Sequence, residues 1–144
     1  MKKDDCIFCK IASGEIPSRK LYEDDDFIVI MDLNPTSKGH SLIIPKEHYA
    51  NLFELDEELA GKAMKLAKKM AARMTDVLGC DGFNLLQNNG ECAGQTVFHF
   101  HLHLIPRYSE DTNKMLTFAA ANTSEEEMDA ICAAVREGIA YYNP

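Results

Sequence analysis

Three of the five histidines of this sequence stand at every second position of one apolar segment. The segment reads FHFHLHLIPR, and it places His99, His101 and His103 between apolar residues. Successive side chains of a β-strand point to opposite faces, so we expect the three imidazoles to share one face while the apolar side chains pack on the other. Such a row fits a metal site, an anion site, or a histidine nucleophile with its supporting groups.

A glycine-containing loop, NNGECAGQT, comes directly before these histidines. Its glycines and polar side chains fit a phosphate cradled by backbone N–H groups, although a plain hairpin turn has the same composition. A role in metal binding alone is disfavoured, because no histidine follows His103 and the next carboxylate, Glu110, lies beyond Pro106. A catalytic metal site would normally add another ligand and keep one position open.

Cys6 and Cys9 form a Cys-x-x-Cys pair near the start of the chain. The pair fits a redox dithiol, two ordinary buried cysteines, or half of a zinc site. The redox alternative ranks last, because such a pair usually opens a helix after a strand, and only a few polar residues precede Cys6. Zinc needs two further ligands, and the sequence offers His48 together with His40 or His99.

Hydrophobic periodicity and turn signals predict the elements that hold these residues. The pattern predicts a short helix over 6–13, strands from about 20, over 27–35, after His40 and over 82–87, a long helix over 56–78 and a strand over 96–106. It also predicts a turn over 34–39, a loop over 109–122 and a C-terminal helix from about 124, where an N-cap signature stands before three glutamates. Apolar residues at spacings of three and four mark the long helix, and Gly79 ends it. Hairpins in the middle, with helices set apart, indicate an α+β fold with an antiparallel sheet.

Length and composition exclude several large classes of protein. A chain of 144 residues is about one domain, and 46% apolar residues without a long apolar run indicate a soluble protein with no membrane span. The net charge of −8 argues against charge-driven binding to nucleic acid or anionic lipid. Five cysteines, an odd number, suit a reducing compartment, so we expect a cytoplasmic protein.

The segment HFHLHLI resembles the His-φ-His-φ-His-φ-φ signature of the histidine triad family, in which φ is apolar, and every position fits. CIFCKIASGEIPS looks like the family's N-terminal segment, and MDLNPTSKGHSLIIPKEH looks like its central hairpin. The resemblance implies one domain over 1–144, with about five antiparallel strands, a long central helix, a short N-terminal helix and a C-terminal helix. Its parts would be a zinc and base-pocket segment at 5–18, an active-site hairpin at 82–107 and a C-terminal helix at about 124–142.

The resemblance also implies a reaction: transfer or hydrolysis at the α-phosphate of a nucleotide that carries a leaving group. His101, the middle histidine, would be the nucleophile and form a nucleotidyl-histidine intermediate that water opens. His103 would donate to phosphate oxygens or to a bridging atom, Thr96 would be a second donor to the leaving group, and His40 would orient a triad member. Imidazole is suited to the attack, because much of it is neutral at pH 7.

The same resemblance assigns residues to the nucleotide. Asp32 matches the ribose-binding carboxylate, and Asn88 matches the Hint-like branch, which favours a purine nucleoside phosphoramidase acting on AMP or GMP conjugates. AGQTV and IPR also look like the Fhit-like branch, so cleavage of dinucleoside polyphosphates stays open. The phosphate loop would include Gly94, Gln95, Thr96 and Val97, and the apolar slot for the base would include Ile7, Phe8, Ile11, Ile16 and Leu33.

Related triad proteins and galactose-phosphate uridylyltransferases bind zinc through two cysteines, an intermediate histidine and the first triad histidine. The resemblance therefore implies a structural zinc on Cys6, Cys9, His48 and His99, which leaves His101 and His103 free for chemistry. It also implies a homodimer, for which residues 52–77 could supply the surface. Two rival hypotheses are a nucleotide-binding scaffold with incidental catalysis and a metal-dependent enzyme that uses all three triad histidines.

Overall fold

The computed structural model describes residues 2–111 and 121–139. The elements follow in chain order: α1 (Ile7–Ala12), β1 (Lys20–Glu23), β2 (Phe27–Met31), β3 (Ser41–Pro45), α2 (Glu57–Leu78), β4 (Gly82–Leu86), β5 (Leu102–Arg107) and α3 (Glu125–Ile139). The strands form one antiparallel sheet in the order β1-β2-β3-β5-β4. The predicted α+β class with five antiparallel strands is therefore confirmed. No helix within these ranges is long and apolar enough to cross a bilayer.

The sheet is covered on both faces, which explains why β2 is almost wholly apolar. Val29 packs into a cluster with α2, whereas its neighbours Ile28 and Ile30 pack into a second cluster with Phe8 of α1. Alternate side chains of one strand thus serve two cores. The α1 face also carries the first two triad histidines, because the ring of Phe8 meets those of His99 and His101 edge to face.

Helix α2 begins and ends as its sequence predicts. The Asp56 side chain accepts a hydrogen bond from the N–H of Leu59, and Gly79 closes the helix in the left-handed conformation, with φ of 63°. Its buried side chains are Ala63, Leu66, Ala67 and Met74. Val77, which continues the apolar spacing, is 64% exposed instead.

The turn between β2 and β3 requires glycine at position 39. Gly39 has φ of +94°, and a Cβ there would lie 2.5 Å from Cδ1 of Leu78 and 3.3 Å from Cγ of Pro106. Any other residue would strain the backbone at this positive φ, and its Cβ would overlap the side chains of Leu78 and Pro106. This close approach fixes the start of β3, and with it the position of His40.

The expected strand over 96–106 is wrong at both ends. Residues 96–101 are irregular, and β5 begins only at Leu102, so His103 alone of the three histidines lies in a strand. The backbone before Leu102 bonds elsewhere: the N–H of Phe100 donates to the carbonyl of Tyr49 at 2.6 Å. The imidazole of His101 also donates to the carbonyl of His99, so that carbonyl is used by a side chain and not by a neighbouring strand.

Pro106 does not end β5, which continues to Arg107. A proline costs a strand its ladder N–H, and it is tolerated where no partner strand would accept that bond. The first residue of β3, Ser41, stands opposite Leu104, so β3 offers no partner at Pro106. Pairing with β4 continues past that point, with Phe83 opposite Pro106.

Helix α3 belongs to a second compact unit, residues 115–144, separate from the unit of residues 1–114. Its predicted N-terminal cap is present: Ser124 Oγ accepts from the N–H of Glu127, whose carboxylate accepts from the N–H of Ser124. Met128, Ile131, Val135 and Ile139 form an exposed apolar stripe. The predicted end of this helix, 140–142, lies outside the described residues, as does most of the loop predicted between Ser109 and Asn122.

Candidate active site and metal cluster

Cys6, Cys9, His48 and His99 come together in one cluster, with their donor atoms all within 4.8 Å of one another. The Sγ of Cys6 lies 3.4 Å from Nδ1 of His99. The Sγ of Cys9 lies 3.4 Å from Nδ1 of His48 and 3.5 Å from Nδ1 of His99. Residues from α1, from the segment after β3 and from the segment before β5 thus meet at one point. This cluster could bind a metal ion.

The backbone sets the tautomer of His99 in a way that suits a metal ligand. Its Nε2 lies 2.8 Å from the carbonyl oxygen of Pro45, and a carbonyl can only accept, so Nε2 carries the hydrogen. The lone pair of Nδ1 then faces the two thiols. Burial lowers the pKa of His99 to about 4, which keeps this ring neutral, as a ligand must be.

His101 is held in the opposite tautomer. Its Nδ1 lies 2.7 Å from the carbonyl oxygen of His99, so Nδ1 carries the hydrogen and the Nε2 lone pair is free. The residue is 7% exposed, and burial lowers its pKa. A neutral, oriented imidazole with a free ring nitrogen is the form that can attack an electrophile.

His40 and His103 form a hydrogen-bonded pair whose direction is fixed from outside. The N–H of Thr36 donates to Nδ1 of His40 at 3.0 Å, so the other nitrogen of that ring carries the hydrogen. Nε2 of His40 therefore donates to Nδ1 of His103 at 2.8 Å. Nε2–H of His103 is left as a donor, and burial lowers the pKa of His103 to about 4, with His101 and His40 adding to that effect.

Asp32 completes this second group and gives it a carboxylate. Its Oδ2 lies 3.6 Å from Nε2 of His40, while its Oδ1 accepts from the N–H of Asn34 at 2.8 Å. The donor atoms of Asp32, His40 and His103 are close enough to suggest a cation. The contact from Thr36 opposes that role, because it keeps the hydrogen on the nitrogen that a cation would need. The group is better described as a hydrogen-bonded relay.

The three triad histidines do not converge on one point. Among the described residues, His99 groups with the thiols and His103 groups with Asp32, and neither group includes His101. A metal held by all three triad histidines would need them in one group. The hypothesis of a metal-dependent enzyme built on the triad therefore finds no matching cluster in this part of the chain.

One buried side-chain amide, that of Gln95, fixes the conformation of the loop before the triad. Gln95 is 2% exposed; its Oε1 accepts from the N–H of Gly90 at 2.8 Å, and its Nε2 donates to the carbonyls of Ala50 and Val97 at 2.7 and 3.0 Å. Gly90 and Gly94 both have φ near +90° and flank a 3-10 turn at Glu91–Ala93. The loop therefore has a fixed shape that ends at the exposed Thr96.

Asn88 lies against the far end of this loop. Its Nδ2 is 3.5 Å from the carbonyl oxygen of Gly94, and a Cβ on Gly94 would lie 3.5 Å from the same nitrogen. A Cβ would therefore be in ordinary contact with Asn88, and glycine is favoured at position 94 by its positive φ of 91°. Asn88 thus contacts Gly94, and Gln95 contacts Val97.

The residues expected to line the base slot differ widely in their exposure to solvent. Phe8 is buried and Ile11 packs partly against its cluster. Ile16 is half-buried, whereas Leu33 is 81% exposed. Ile7 is 48% exposed and lines a cavity together with Thr96 and Val97. These side chains therefore do not form one closed apolar pocket.

Sequence reasoning missed the backbone groups that orient the rings. The carbonyls of Pro45 and His99 and the N–H of Thr36 choose the tautomers of three imidazoles. Any residue carries a carbonyl, so no residue type marks the first two positions. The position of Thr36, four residues before His40 in a predicted turn, was the one available signal.

With the geometry described, comparisons with known proteins give the family. The model of the HIT domain matches residues 13–110. The chain is 42% identical over 126 residues to an adenosine 5′-monophosphoramidase of Schizosaccharomyces pombe, covering 88% of this chain and 92% of the relative. It is 48% identical over 109 residues to an adenylylsulfatase of Arabidopsis thaliana, covering 76% of this chain and 55% of the relative.

Solved structures agree with this result. A zinc-bound histidine triad family protein of Mycobacterium smegmatis superposes with a TM-score of 0.73 at 34% identity, covering 96% of this chain and 98% of that one. The residues that the family model matches include the segment with the three histidines and all five strands of the sheet. The chain belongs to the histidine triad family and is a hydrolase of that family.

Proposed function

We propose that this hydrolase cleaves the P–N bond of purine nucleoside 5′-phosphoramidates and related conjugates of AMP or GMP. The observation that carries the proposal is the hydrogen bond from Nδ1 of His101 to the carbonyl of His99. It leaves the Nε2 lone pair free to attack the α-phosphorus. The similarity to an adenosine 5′-monophosphoramidase supports the choice of substrate.

The reaction runs as two displacements. A bond forms between Nε2 of His101 and phosphorus while the P–N bond breaks, and the leaving amine takes a proton from solvent, which regains one when water attacks in the second step. Water then attacks the nucleotidyl-histidine, releases the nucleoside monophosphate and restores the imidazole. Two displacements at phosphorus, the first by an oriented imidazole, thus replace one direct attack by water on the anionic phosphate group.

His103 stabilises charge in both displacements. Its Nε2–H donates to a phosphate oxygen, because Nδ1 is already engaged with His40. Thr96, exposed at the end of the loop, donates to the leaving atom. An oriented donor of this kind acts without reorganisation when charge develops.

The remaining assigned residues hold the nucleotide. Asp32 accepts from the ribose hydroxyls, a role supported by its match to the ribose-binding carboxylate of the family. The backbone N–H groups of Gly94, Gln95 and Val97 hold the phosphate. The side chain of Asn88, which contacts the carbonyl of Gly94, lies beside them. The base rests against a mainly apolar surface to which Phe8, Ile7, Ile16 and Leu33 contribute.

We further propose that Cys6, Cys9, His48 and His99 hold one structural zinc ion. A tetrahedral zinc separates sulfur from nitrogen ligands by roughly 3.5 Å, and three of the four sulfur–nitrogen distances in the cluster are 3.4, 3.4 and 3.5 Å. A bound zinc would stabilise the fold by joining α1 to the triad segment. A site closed by four protein ligands has no position for water, so the ion would be structural. The chemical step does not require it.

Turnover of adenosine 5′-phosphoramidate by the unmodified protein and by His101→Ala tests the proposed reaction. We expect the variant to lose more than about a thousandfold in kcat, as is usual when a nucleophile is removed. Retained turnover would refute the assignment of the nucleophile. Faster turnover of diadenosine tetraphosphate would favour the dinucleoside polyphosphate hydrolase, and no turnover of either would favour the scaffold.

We also propose a homodimer that uses residues 52–77. Leu52, Phe53, Met64 and Val77 in this range are 45% to 86% exposed, more apolar surface than one chain needs to leave open. Sedimentation equilibrium of the intact protein and of Met64→Glu tests this surface. A monomer at micromolar concentration in the unmodified protein would contradict it.

A further inference from the structure

A cavity of about 210 Å³ lies between helix α2 and the edge strand β1. Leu21 of β1 and Met31 at the end of β2 line one side of it, and Met70, Met74 and Val77 of α2 line the other. No residue on this lining is assigned above to the nucleotide, the relay or the metal cluster. The cavity therefore has no part in the proposed reaction.

The cavity is an opening at the edge of the core and not a void inside it. Met74 is buried in the cluster between α2 and the sheet, and Met70 packs partly against that cluster. Leu21 and Val77, which come from different elements, are 44% and 64% exposed. Single exposed apolar side chains are ordinary, but two that line one concave space with buried ones are typical of a ligand site.

The lining limits the size and the shape of the ligand. A cavity of about 210 Å³ is smaller than the roughly 300–1,000 Å³ that holds a drug-sized molecule, so the ligand is small. Three lining residues, Met31, Met70 and Met74, are methionines. Their unbranched, polarisable side chains adapt to a flexible chain better than rigid branched side chains do. The lining thus suits a linear apolar chain.

The charge at the cavity indicates the head group of that ligand. Arg73 is the charged residue on the lining, and its guanidinium has no hydrogen bond or ion pair with any residue that the structure describes. Residues 62–73 of α2 include five lysines and arginines and no carboxylate, in a chain whose net charge is −8. A guanidinium binds a carboxylate through two parallel hydrogen bonds. The cation at the rim therefore suits an anionic head group.

We propose that this cavity binds a small carboxylate with a linear apolar chain, as in a free medium-chain fatty acid. The chain lies among the three methionines, and the carboxylate accepts hydrogen bonds from Arg73 at the rim. The inference does not rest on the proposed phosphoramidase function, since binding is measured without turnover. The surface proposed for the homodimer shares Val77 with the cavity, so a second copy of the chain is the rival occupant.

Methyl resonances of the methionines test the proposal in the intact protein. Titration with octanoate should shift the ¹³C-methyl signals of Met31, Met70 and Met74. The signal of Met64 should stay unchanged, because this residue is 55% exposed on the same helix and does not line the cavity. No shift at about 1 mM octanoate, or an equal shift at Met64, would overturn the proposal.

Two ligands of equal chain length separate the role of the head group from that of the chain. In Arg73→Gln we expect the Kd for octanoate to rise at least about threefold, whereas the Kd for octan-1-ol should change less than about twofold. Lys68→Gln is the matched control, since it removes the same charge from the same helix at a position outside the lining. Equal effects of Arg73→Gln on both ligands, or of both variants on octanoate, would overturn the assignment of Arg73.

A charge placed at the opening tests the position of the chain. Leu21→Glu should abolish octanoate binding, and Tyr22→Glu should retain it, because successive side chains of a strand point to opposite faces and Tyr22 does not line the cavity. Both positions are exposed, so both variants should fold. Equal effects of the two variants would overturn the proposal. Failure of the unmodified protein to bind octanoate, with a lower sedimentation mass in Leu21→Glu alone, would assign the cavity to a second copy and would also overturn it.

Discussion

Replacing His40 by leucine removes the donor that faces Nδ1 of His103 at 2.8 Å. Glutamine at the same position is the matched variant, because its terminal amide reaches about as far as Nε2 of histidine and can still donate. Both variants lose the acceptor of the Thr36 N–H, so that loss is common to the pair. The difference between them therefore isolates the bond to His103.

The size of this difference follows from the burial of His103. A buried acceptor left without a partner costs about 1–3 kcal/mol. The ring escapes that cost by turning or by moving its hydrogen to Nδ1, and either change removes the Nε2–H donor from the phosphate. Because about 1.4 kcal/mol is a factor of ten, we expect kcat in His40→Leu to fall about fivefold to a hundredfold. His40→Gln should retain most of the activity.

Nuclear magnetic resonance of the imidazole nitrogens reports the tautomer of His103, which would not change if His40 had only a structural role. In the unmodified protein we expect Nε2 of His103 to be protonated and Nδ1 to be free. His40 contributes to the low pKa of His103, so the leucine variant should raise that pKa toward its ordinary value. If both variants keep the tautomer and kcat within twofold, or lose them equally, the relay is wrong.

Three further predictions concern the metal, pH and the turn. Cys9→Ser should lose the bound zinc, about one ion per chain by elemental analysis in the unmodified protein, and lower Tm, whereas Cys92→Ser should change neither. The pKa of His103 falls from 6.5 to about 4 on folding, so its contribution to stability is full above pH 6.5 and is lost as pH falls toward 4. It amounts to about 3 kcal/mol; urea unfolding at pH 7 and pH 5 should show much of it, and His103→Asn should remove it. Gly39→Ala should lower Tm more than Gly14→Ala, because both have positive φ but only position 39 lacks space for a Cβ; equal losses would contradict the close packing.

The predictable part of the fold is the part governed by local patterns. The apolar spacing of α2 and its end at Gly79 both depend on residues within one or two turns, and the structure shows both where they were expected. The hairpin of β2 and β3 follows from a strong turn signal between two β-branched runs. The order of the strands in the sheet could not be predicted from local patterns, because the pairing of β3 with β5 joins segments about sixty residues apart.

The error at the triad has a physical cause. Strict alternation over Phe98–Leu104 is the pattern of a strand. The side chains do alternate between faces: Phe100 and Leu102 pack in the α2 cluster, whereas His99 and His101 meet Phe8 on the other side. A strand also needs a neighbour for its backbone groups, and residues 96–101 bond instead to Tyr49 and to the Gln95 and His101 side chains. Periodicity reports which side chains are buried but not where the backbone bonds go.

His99 shows why the three histidines differ although their spacing makes them look equivalent. Its side chain faces the thiols of Cys6 and Cys9, and its own carbonyl holds Nδ1 of His101. One residue thus contributes a ring nitrogen to the candidate metal cluster and a backbone acceptor to the proposed nucleophile. A shift of His99 would therefore disturb the orientation of His101 without any change in the nucleophile itself. The proposed zinc site and the reaction are separate in chemistry, yet they depend on the position of the same short stretch of backbone.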